Sequence, residues 1–523
     1  MEGCTITTKH CMNSKIRLLP SLAVCCALPL LLSGTPAAAL PISGRPVPAF
    51  SQLDTIMDNF MSDSGRTIPA GVLGVNRGGR VVYLRAFGSL SPGVNLPETA
   101  LFRLASVVKP ITAAAVHRFS QSAGFGATNL QRRIFNLSGN GGVLSISPPG
   151  TVDARAQNIT LGHLLNHSGG WDRNQPNPGD MPVNRVRTAG IAMNQPDALP
   201  TRGQVVNWSM QFPLDYAPGA VTYTPATPAG AMAVVPGGAT TYSNFGYLLL
   251  GEALETTAPG GYLGYLSTEV LSVQNWIPFS EWGPARTRQT DLNSREPAYD
   301  NGTEGSSDSV FDYTAPIDQV PAAYGGGIHV ETMLAHGGLI ASAQAMLRFG
   351  NLFNASGATT GAGATQANNI GMAVPATGFA QGSDFSHTGS LPGTSTILRQ
   401  IGNGAGREDD VVIYIAFNKR SGTTTDWASG ASNLVSAFLN TITPPLTWPT
   451  ETCDGFWVTV GTENSLAGHG GYHSPYQGFQ SALVRAGTGS YVRLRPGSQN
   501  WTGTIGGPVR LDAPEGPVTL GAP

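Results

Sequence analysis

The chain has 523 residues, enough for one large domain and a smaller one. Hydrophobic residues make up 41% and support a sizeable core, while 67 glycines and 39 prolines predict a loop-rich fold. Charged residues are 12%, about half the usual share. A net charge of −2, with no basic patch interleaved with aromatics, excludes an electrostatic footprint for nucleic acid or anionic membrane.

Residues 1–39 read as a secretory leader. Lys9, Lys15 and Arg17 form a basic start, Leu18 to Leu32 is mostly apolar, and Ala37-Ala38-Ala39 offers a small-residue cleavage site. The apolar run is short and broken by Pro20 and Pro29, which argues against a membrane anchor. Cys25 and Cys26 raise a lipoprotein alternative, but Val24 stands where a small residue is wanted. Four of the five cysteines fall in the leader, so the exported form keeps Cys453 alone and needs no intramolecular disulfide. The expected location is secreted or periplasmic, with no stable membrane span after leader removal.

Beyond the leader, Leu53, Ile56, Met57, Phe60 and Met61 lie on one helical face of Ser51 to Met61. Two β-type runs within Ala70 to Phe87, joined by Arg77-Gly78-Gly79, read as a hairpin. The next segment, Leu101 to Val116, carries Ser106-Val107-Val108-Lys109 on a helix. Pro110 is tolerated there only if Lys109 is still in the first turn. Residues three apart share a helix face, so Lys109 can reach Ser106. A serine hydroxyl is a poor nucleophile until a base takes its proton, and a desolvated lysine can serve as that base. Past the leader the chain has only two lysines, Lys109 and Lys419; elsewhere arginine, which cannot be deprotonated, supplies positive charge.

Residues 120 to 385 read as helical segments and long loops. Ile159 to Gly170 is a short amphipathic helix ending in a turn. Tyr242 to Glu255 is a second helix, preceded by an insert in which Pro218 to Thr224 partly echoes Pro236 to Tyr242. Arg286 to Tyr324 shows no helical period and reads as irregular surface, and Gly337 to Phe349 as a turn leading into a helix. Phe385 to Ser390 leads into a hairpin of Thr394 to Ile401 and Asp410 to Asn418. The run Val411 to Phe417 is nearly all apolar, as a central strand covered on both faces would be. A helix follows from Asp426, a plausible N-cap, to Leu439, and Pro444-Pro445 closes the unit. Residues 446–523 read as a small β-rich extension whose strands include Phe479 to Arg485.

Two later segments carry chemistry. Tyr242-Ser243-Asn244 opens a helix and can present a phenol and an amide side by side; a phenol near a cation can relay protons. His387-Thr388-Gly389-Ser390 sits at the start of a strand, where a backbone N–H can be aimed at a developing oxyanion. Together with Ser106-x-x-Lys109, these three motifs resemble the serine β-lactamase and penicillin-binding superfamily. Tyr-x-Asn is similar to the class C branch and its related carboxypeptidases and esterases, and His-Thr-Gly resembles the carboxypeptidases of that branch rather than typical class C β-lactamases. Ile159 to Gly170, Tyr242 to Gly251 and Gly337 to Ala343 also resemble family segments, so the likeness covers roughly residues 50–442.

The resemblance implies an α/β (α+β) fold of the β-lactamase/transpeptidase-like type: an antiparallel sheet flanked by helices, with a helical subdomain, over residues 40–445. It also implies the roles. Ser106 would be the acylated nucleophile, Lys109 its base partner and Tyr242 the proton relay. Asn244 would hold Lys109 and a substrate amide. His387, Thr388, Gly389 and Ser390 would form the substrate-binding strand, with the Ser106 and Ser390 N–H groups as oxyanion hole. His387 would supply a donor or positive field near a substrate carboxylate and make its binding pH-sensitive.

The expected activity is that of an exported serine hydrolase working through an acyl-serine on D-amino-acid peptides or small carboxylic esters, with no metal and no organic cofactor. The alternatives are a β-lactamase proper and a non-catalytic binding protein keeping the fold. The partner is a small-molecule or peptide substrate, and the sequence carries no sign of oligomeric state. His163 and His167 stand at zinc-ligand spacing, but Leu164 occupies the place where a metalloprotease carries glutamate. His469 and His473 read as surface residues. No Gly-x-Ser-x-Gly elbow and no phosphate-binding glycine loop is present.

Overall fold

A computed structural model describes residues 39–521, apart from 127, 176–185, 193–198, 221–241, 272–276, 314–315, 354–383, 403–406, 424, 443–446, 462–467 and 487–489. The expected leader, the repeated tract before Tyr242 and the boundary at 445 fall largely or wholly outside the described residues.

Seven consecutive buried residues, Val411–Phe417, make the strand around which the main sheet is laid. In chain order the strands are β1 (Ile42–Ser43), β2 (Ala70–Arg77), β3 (Arg80–Ser91), β4 (Asp384–Leu391), β5 (Thr394–Ile401) and β6 (Val411–Phe417). They lie in the order β1-β3-β2-β6-β5-β4, antiparallel throughout, with the short strand Val94–Asn95 beside β3. The β2–β3 hairpin closes through Gly78 and Gly79, whose φ values of +55° and +86° suit a two-residue turn that side-chain-bearing residues rarely adopt.

Strand alternation assigns the two faces of the sheet. Gly71 of β2 lies against Met61 of α1 (Ser51–Ser62) and Phe417, while Gly74, of opposite parity, lies against Leu347. Phe417 stacks on Phe60 of α1 at 5.9 Å. In chain order the next helices used below are α2 (Val108–Gln121), α3 (Asn244–Thr257), α4 (Ala343–Leu352) and α5 (Trp427–Leu439). Helices α1 and α5 cover one face, and α4 the other, where Gly350 meets Val412 and Leu398. Asp426 caps α5, its Oδ1 accepting the Ser429 N–H at 2.9 Å. The helical part that carries α2 and α3 is joined to the sheet through a small antiparallel sheet of Leu101–Arg103, Leu339–Ser342 and Trp282–Pro284. Among the described residues no helix is long and apolar enough to cross a membrane.

Four sequence expectations are corrected. Phe385 to Ser390 is not a lead-in but the body of β4, so the sheet ends in a three-strand meander. Leu339–Ser342 forms a strand before α4, paired on both sides. Arg286 to Tyr324 is irregular and mostly surface, as expected, but not throughout: Thr287, Tyr299, Val310 and Ala323 are buried. The Arg103 guanidinium donates to the Ala323 and Arg286 carbonyls and lies 4.1 Å from the Tyr299 ring centroid. Phe479–Ala486 is a helix, not a strand. Its buried Phe479 and Ala482 and partly buried Leu483 follow i, i+3, i+4 spacing, which satisfies a helix and leaves a strand with apolar groups on both faces.

The C-terminal residues keep a small core of their own, including Phe456, Val458, Tyr476, Phe479 and Val492. Its strands Tyr476–Gln477, Phe456–Thr459, Tyr491–Arg495 and Arg510–Asp512 run parallel. Polar contacts dock it onto the rest. Arg348 of α4 pairs with Asp454 at 2.7 Å, and Gln344 Oε1 accepts the Gly455 N–H at 2.7 Å. Glu98 Oε1 accepts the Tyr472 N–H at 2.5 Å, and the Thr99 hydroxyl donates to the His469 carbonyl at 2.9 Å.

Burial pushes the Glu98 carboxyl up to about 7 from its ordinary 4.5, against the pull of Arg85 and Arg495. A carboxyl raised this way binds its proton more tightly when folded, so its contribution to stability is full below the unfolded value and fades as pH climbs to about 7. Glu98→Gln is therefore expected to raise stability at pH 8 by about 1–3 kcal/mol and to flatten its dependence between those two values. Thermal or denaturant unfolding at several pH values checks this.

Candidate active site

Ser106 sits in a single 3₁₀ turn, Ala105–Val107, that runs directly into α2. Pro110 falls in the first turn of α2, where its missing N–H costs no helical bond. Ala105 has φ +48°, a left-handed conformation that an L side chain adopts only when its surroundings impose it. The neighbouring contacts supply that constraint. The Leu104 N–H donates to the Leu339 carbonyl at 2.9 Å, and the Leu104 carbonyl accepts the Thr396 hydroxyl at 2.8 Å. Ala105 itself packs with Val330, Met333, Ile340 and Leu391.

Lys109, one turn on, is completely buried. Its Nζ lies 3.0 Å from Ser106 Oγ, 2.7 Å from Asn244 Oδ1 and 3.1 Å from the His336 carbonyl oxygen. Asn244 begins α3, and Ser243 is the cap, its Oγ accepting the Gly246 N–H at 3.0 Å. The Tyr-Ser-Asn spacing thus follows from a helix start: Ser243 serves the backbone, Asn244 reaches Lys109, and Tyr242 precedes the helix. The buried Tyr242 ring has its centroid 4.6 Å from Lys109 Nζ.

Two residues around Tyr242 were missed as site residues. His167 stacks on it at 4.4 Å with 29° between the planes, and its Nδ1 accepts the Ser243 N–H at 3.2 Å. Burial, and then Lys109, hold this imidazole well below its ordinary range, so it is neutral. The period-four spacing of His163 and His167 suggested a shared helix face, but the helix covers only Leu161–Leu165 and His167 has φ +52°. His163 instead closes a capping box with Thr160. Among the described residues no group of three His, Cys, Asp or Glu is placed to hold a metal. The second missed residue is Arg173. Its backbone N–H donates to the Tyr242 carbonyl at 2.9 Å, and its exposed guanidinium has Cζ 4.4 Å from the Tyr242 ring centroid. The cluster Asn166 to Arg173, lying just past a helix end, was the available signal.

The third motif lies on β4, the edge strand among the described residues, next to the Ser106 turn. A Cβ at Gly389 would overlap the Leu104 carbonyl and the Thr396 hydroxyl, so only glycine lets the turn approach the sheet. His387 and Gly389 share this face. Thr388 has the opposite parity, and its side chain hydrogen-bonds to Asp426 at the start of α5, on the far side of the sheet. Ser390 is exposed, its Oγ 3.3 Å from Arg420 Nη1, and Arg420 is held by Glu304.

The His387 Nδ1 is 2.9 Å from the Thr388 carbonyl, an acceptor, so Nδ1 carries the proton. Burial, and then Lys109, push the imidazole down to about 3. His387 is therefore neutral at ordinary pH, with its lone pair on Nε2. Burial beside Lys109 disfavours the positive imidazole expected from sequence.

Gly389→Ala is expected to destabilise the fold by about 1–3 kcal/mol and to displace the Ser106 turn. Denaturant unfolding together with the rate at which a fluorophosphonate labels Ser106 measures both effects.

Residues 53–498 match the family model for Beta-lactamase. Among solved structures, an octameric penicillin-binding protein homologue from Pyrococcus abyssi is 17% identical, covering 74% of this chain and 77% of its own, with a TM-score of 0.46. The D-amino acid amidase of Ochrobactrum anthropi SV3 is 16% identical over 75% of this chain and 100% of its own, with a TM-score of 0.46. A D-stereospecific amidohydrolase from Streptomyces sp. is 16% identical over 74% and 97%, with a TM-score of 0.44. The match to the family model extends beyond the expected boundary at 445 into the C-terminal strands and takes in most of the chain. With its antiparallel sheet, flanking helices and inserted helical part, the chain has the β-lactamase/transpeptidase-like fold and belongs to the Beta-lactamase family.

Proposed function

We propose that this protein is an exported serine hydrolase that forms an acyl-enzyme at Ser106 and acts on D-amino-acid peptides or small carboxylic esters. The observation that carries the reading is the set of neighbours around Lys109 Nζ. Two of them, Asn244 Oδ1 and the His336 carbonyl, can only accept; the third, the Ser106 hydroxyl, can also donate. As an ammonium, Lys109 donates to all three. As an amine, it keeps its two N–H bonds to the acceptors and directs its lone pair at the Ser106 proton.

In this mechanism Ser106 Oγ attacks the substrate carbonyl carbon as its proton passes to Lys109. The oxyanion so formed is held by the Ser106 and Ser390 backbone N–H groups, the first at the start of α2 where helix amides favour negative charge. Tyr242, beside Lys109, passes a proton to the leaving amine or alcohol as its bond to the carbonyl carbon breaks. A water then attacks the acyl-serine, giving up its proton through the same pair, and Ser106 is restored. His387 and Gly389 line the strand along which substrate lies; Thr388 contributes through its backbone. The leader-like N-terminus supports export.

Ser106→Ala and Lys109→Ala are expected to lower kcat/KM by about 10²–10⁴-fold on whichever substrate is turned over. A panel of a nitrophenyl ester, a D-Ala-D-Ala peptide and a chromogenic cephalosporin identifies that substrate. Mass spectrometry of folded protein after fluorophosphonate and penicillin-type probes is the direct test: no adduct on Ser106 would sink the enzyme reading in favour of a binding protein.

The neutral His387 yields a separate expectation. Its folded-state value lies far below the ordinary 6.5, so it gains no proton as pH falls through the range where a free histidine titrates. His387→Gln should lower the rate yet leave the shape of the kcat/KM profile between about pH 5 and 8 unchanged. An acid limb that disappears in this variant would show that His387 titrates after all.

A further inference from the structure

The oxyanion site proposed above takes one N–H from the Ser106 turn and one from β4, two parts of the chain far apart in sequence. We infer that the loop 299–304 sets the distance between them, with Tyr299 and Glu304 as its positioning residues. The inference rests on the reading of the Ser106 and Ser390 amides as the oxyanion hole.

One end of the loop holds the strand that feeds Ser106. The Tyr299 hydroxyl accepts the Arg103 N–H at 2.9 Å and donates to Glu296 Oε1 at 2.7 Å. The Arg103 guanidinium lies 4.1 Å from the Tyr299 ring centroid. Arg103 is completely buried and stands just before the turn that carries Ser106. A buried hydroxyl whose donor and acceptor are both engaged has little freedom to shift.

The other end holds β4. The Glu304 side chain is only 10% exposed, and its Oε1 accepts the Gly393 N–H at 3.3 Å and Arg420 Nε at 2.9 Å. Gly393 lies in the turn that closes β4 on β5, and Arg420 Nη1 is 3.3 Å from Ser390 Oγ. Backbone groups of an antiparallel ladder alternate between the partner strand and the opposite side. Leu391 pairs with Thr394 across the two-residue turn, so Ser390, one residue back, directs its N–H away from β5.

The two ends meet at Tyr299. A Cβ on Gly393 would come within 2.7 Å of the Tyr299 Cβ, so the turn after β4 is seated on the side chain that fixes Arg103. The middle of the loop is fixed as well: the Asp300 N–H donates to the Asn418 carbonyl at 2.7 Å, and Asn301 Oδ1 accepts the Ala323 N–H at 3.0 Å. Oxyanion donors act over a window of about 2.7–3.1 Å, so a small slip of either arm is felt in the rate.

The test uses the phenyl ester of N-acetyl-D-alanine and its thionoester, in which sulfur replaces the carbonyl oxygen. Sulfur is larger and a weaker acceptor, so a well-set oxyanion site favours the ester. The readout is the ratio of the rates at which the two acylate Ser106, followed by mass spectrometry; losses of folded protein cancel in it. The wild-type ratio should be about 10²-fold or more. Glu304→Ala should lower it about 10-fold, and Glu304→Gln, which keeps the acceptor, by less. Tyr299→Phe acts through the other arm and supplies the answer if the Glu304 variants do not fold. Asp384→Asn, which breaks the ion pair with Arg399 at the far end of β4, controls for general loosening and should leave the ratio unchanged. A wild-type ratio near one, acylation by neither ester, a ratio unmoved in the folded Glu304→Ala or Tyr299→Phe variant, or one lowered equally by Asp384→Asn would each overturn the inference. Failure of the underlying enzyme reading looks different: wild-type Ser106 would then take no fluorophosphonate label.

Discussion

The nitrogen of Lys109 is the point at which three separate parts of the chain meet. Ser106 belongs to the 3₁₀ turn before α2, Asn244 to the start of α3, and the His336 carbonyl to the loop before Leu339–Ser342. A buried amine with three hydrogen-bond directions needs three partners, and a missing one costs about 1–3 kcal/mol. The helical part and the strand Leu339–Ser342 are therefore held in register by the same atom that contacts the Ser106 hydroxyl. Stability and chemistry draw on one set of bonds.

Around this nitrogen the fold keeps other charge away. His167, His336 and His387 are all driven toward the neutral form, each by burial first and by Lys109 second. Neutrality decides what each imidazole can do: His167 accepts from the Ser243 backbone, and His387 donates to its neighbour's carbonyl. The strained Ala105 and the compulsory Gly389 are two sides of one contact, in which the turn bearing Ser106 is pressed against the sheet.

Much of the scaffold was legible because its periodicities are unambiguous. The helix from Ser51, the hairpin closed by Gly78-Gly79, the apolar strand Val411–Phe417 and the helix capped by Asp426 all lie within a few residues of their sequence-read bounds. Phe479–Ala486 is a helix because its i, i+3, i+4 apolar spacing outweighs the β character of the strands around it. At the site, the Ser-x-x-Lys and Tyr-x-Asn segments were visible because each motif is contiguous and each begins a helix. The remainder depends on atoms that no side-chain pattern displays. The third neighbour of Lys109 is a backbone carbonyl, the outward face of Thr388 is a matter of strand parity, and the tautomer of His387 follows from one carbonyl 2.9 Å away. Arg173 and His167 lie in a loop whose course past the helix end is set by a left-handed residue.

Among the described residues β4 lies at the rim of the sheet, and this has a bearing on solubility. A strand with an unpaired border is a template for the strand of another molecule, and proteins guard such borders with polar side chains and interruptions. Asp384, Ser386, Thr388 and Ser390 alternate along β4, and Gly389 and the adjoining Ser106 turn interrupt any flat apolar surface. This alternation makes the border a poor seed for self-association. Apolar substitutions at Ser386 or Ser390, introduced to widen substrate range, would trade that protection for a tendency to form intermolecular sheet.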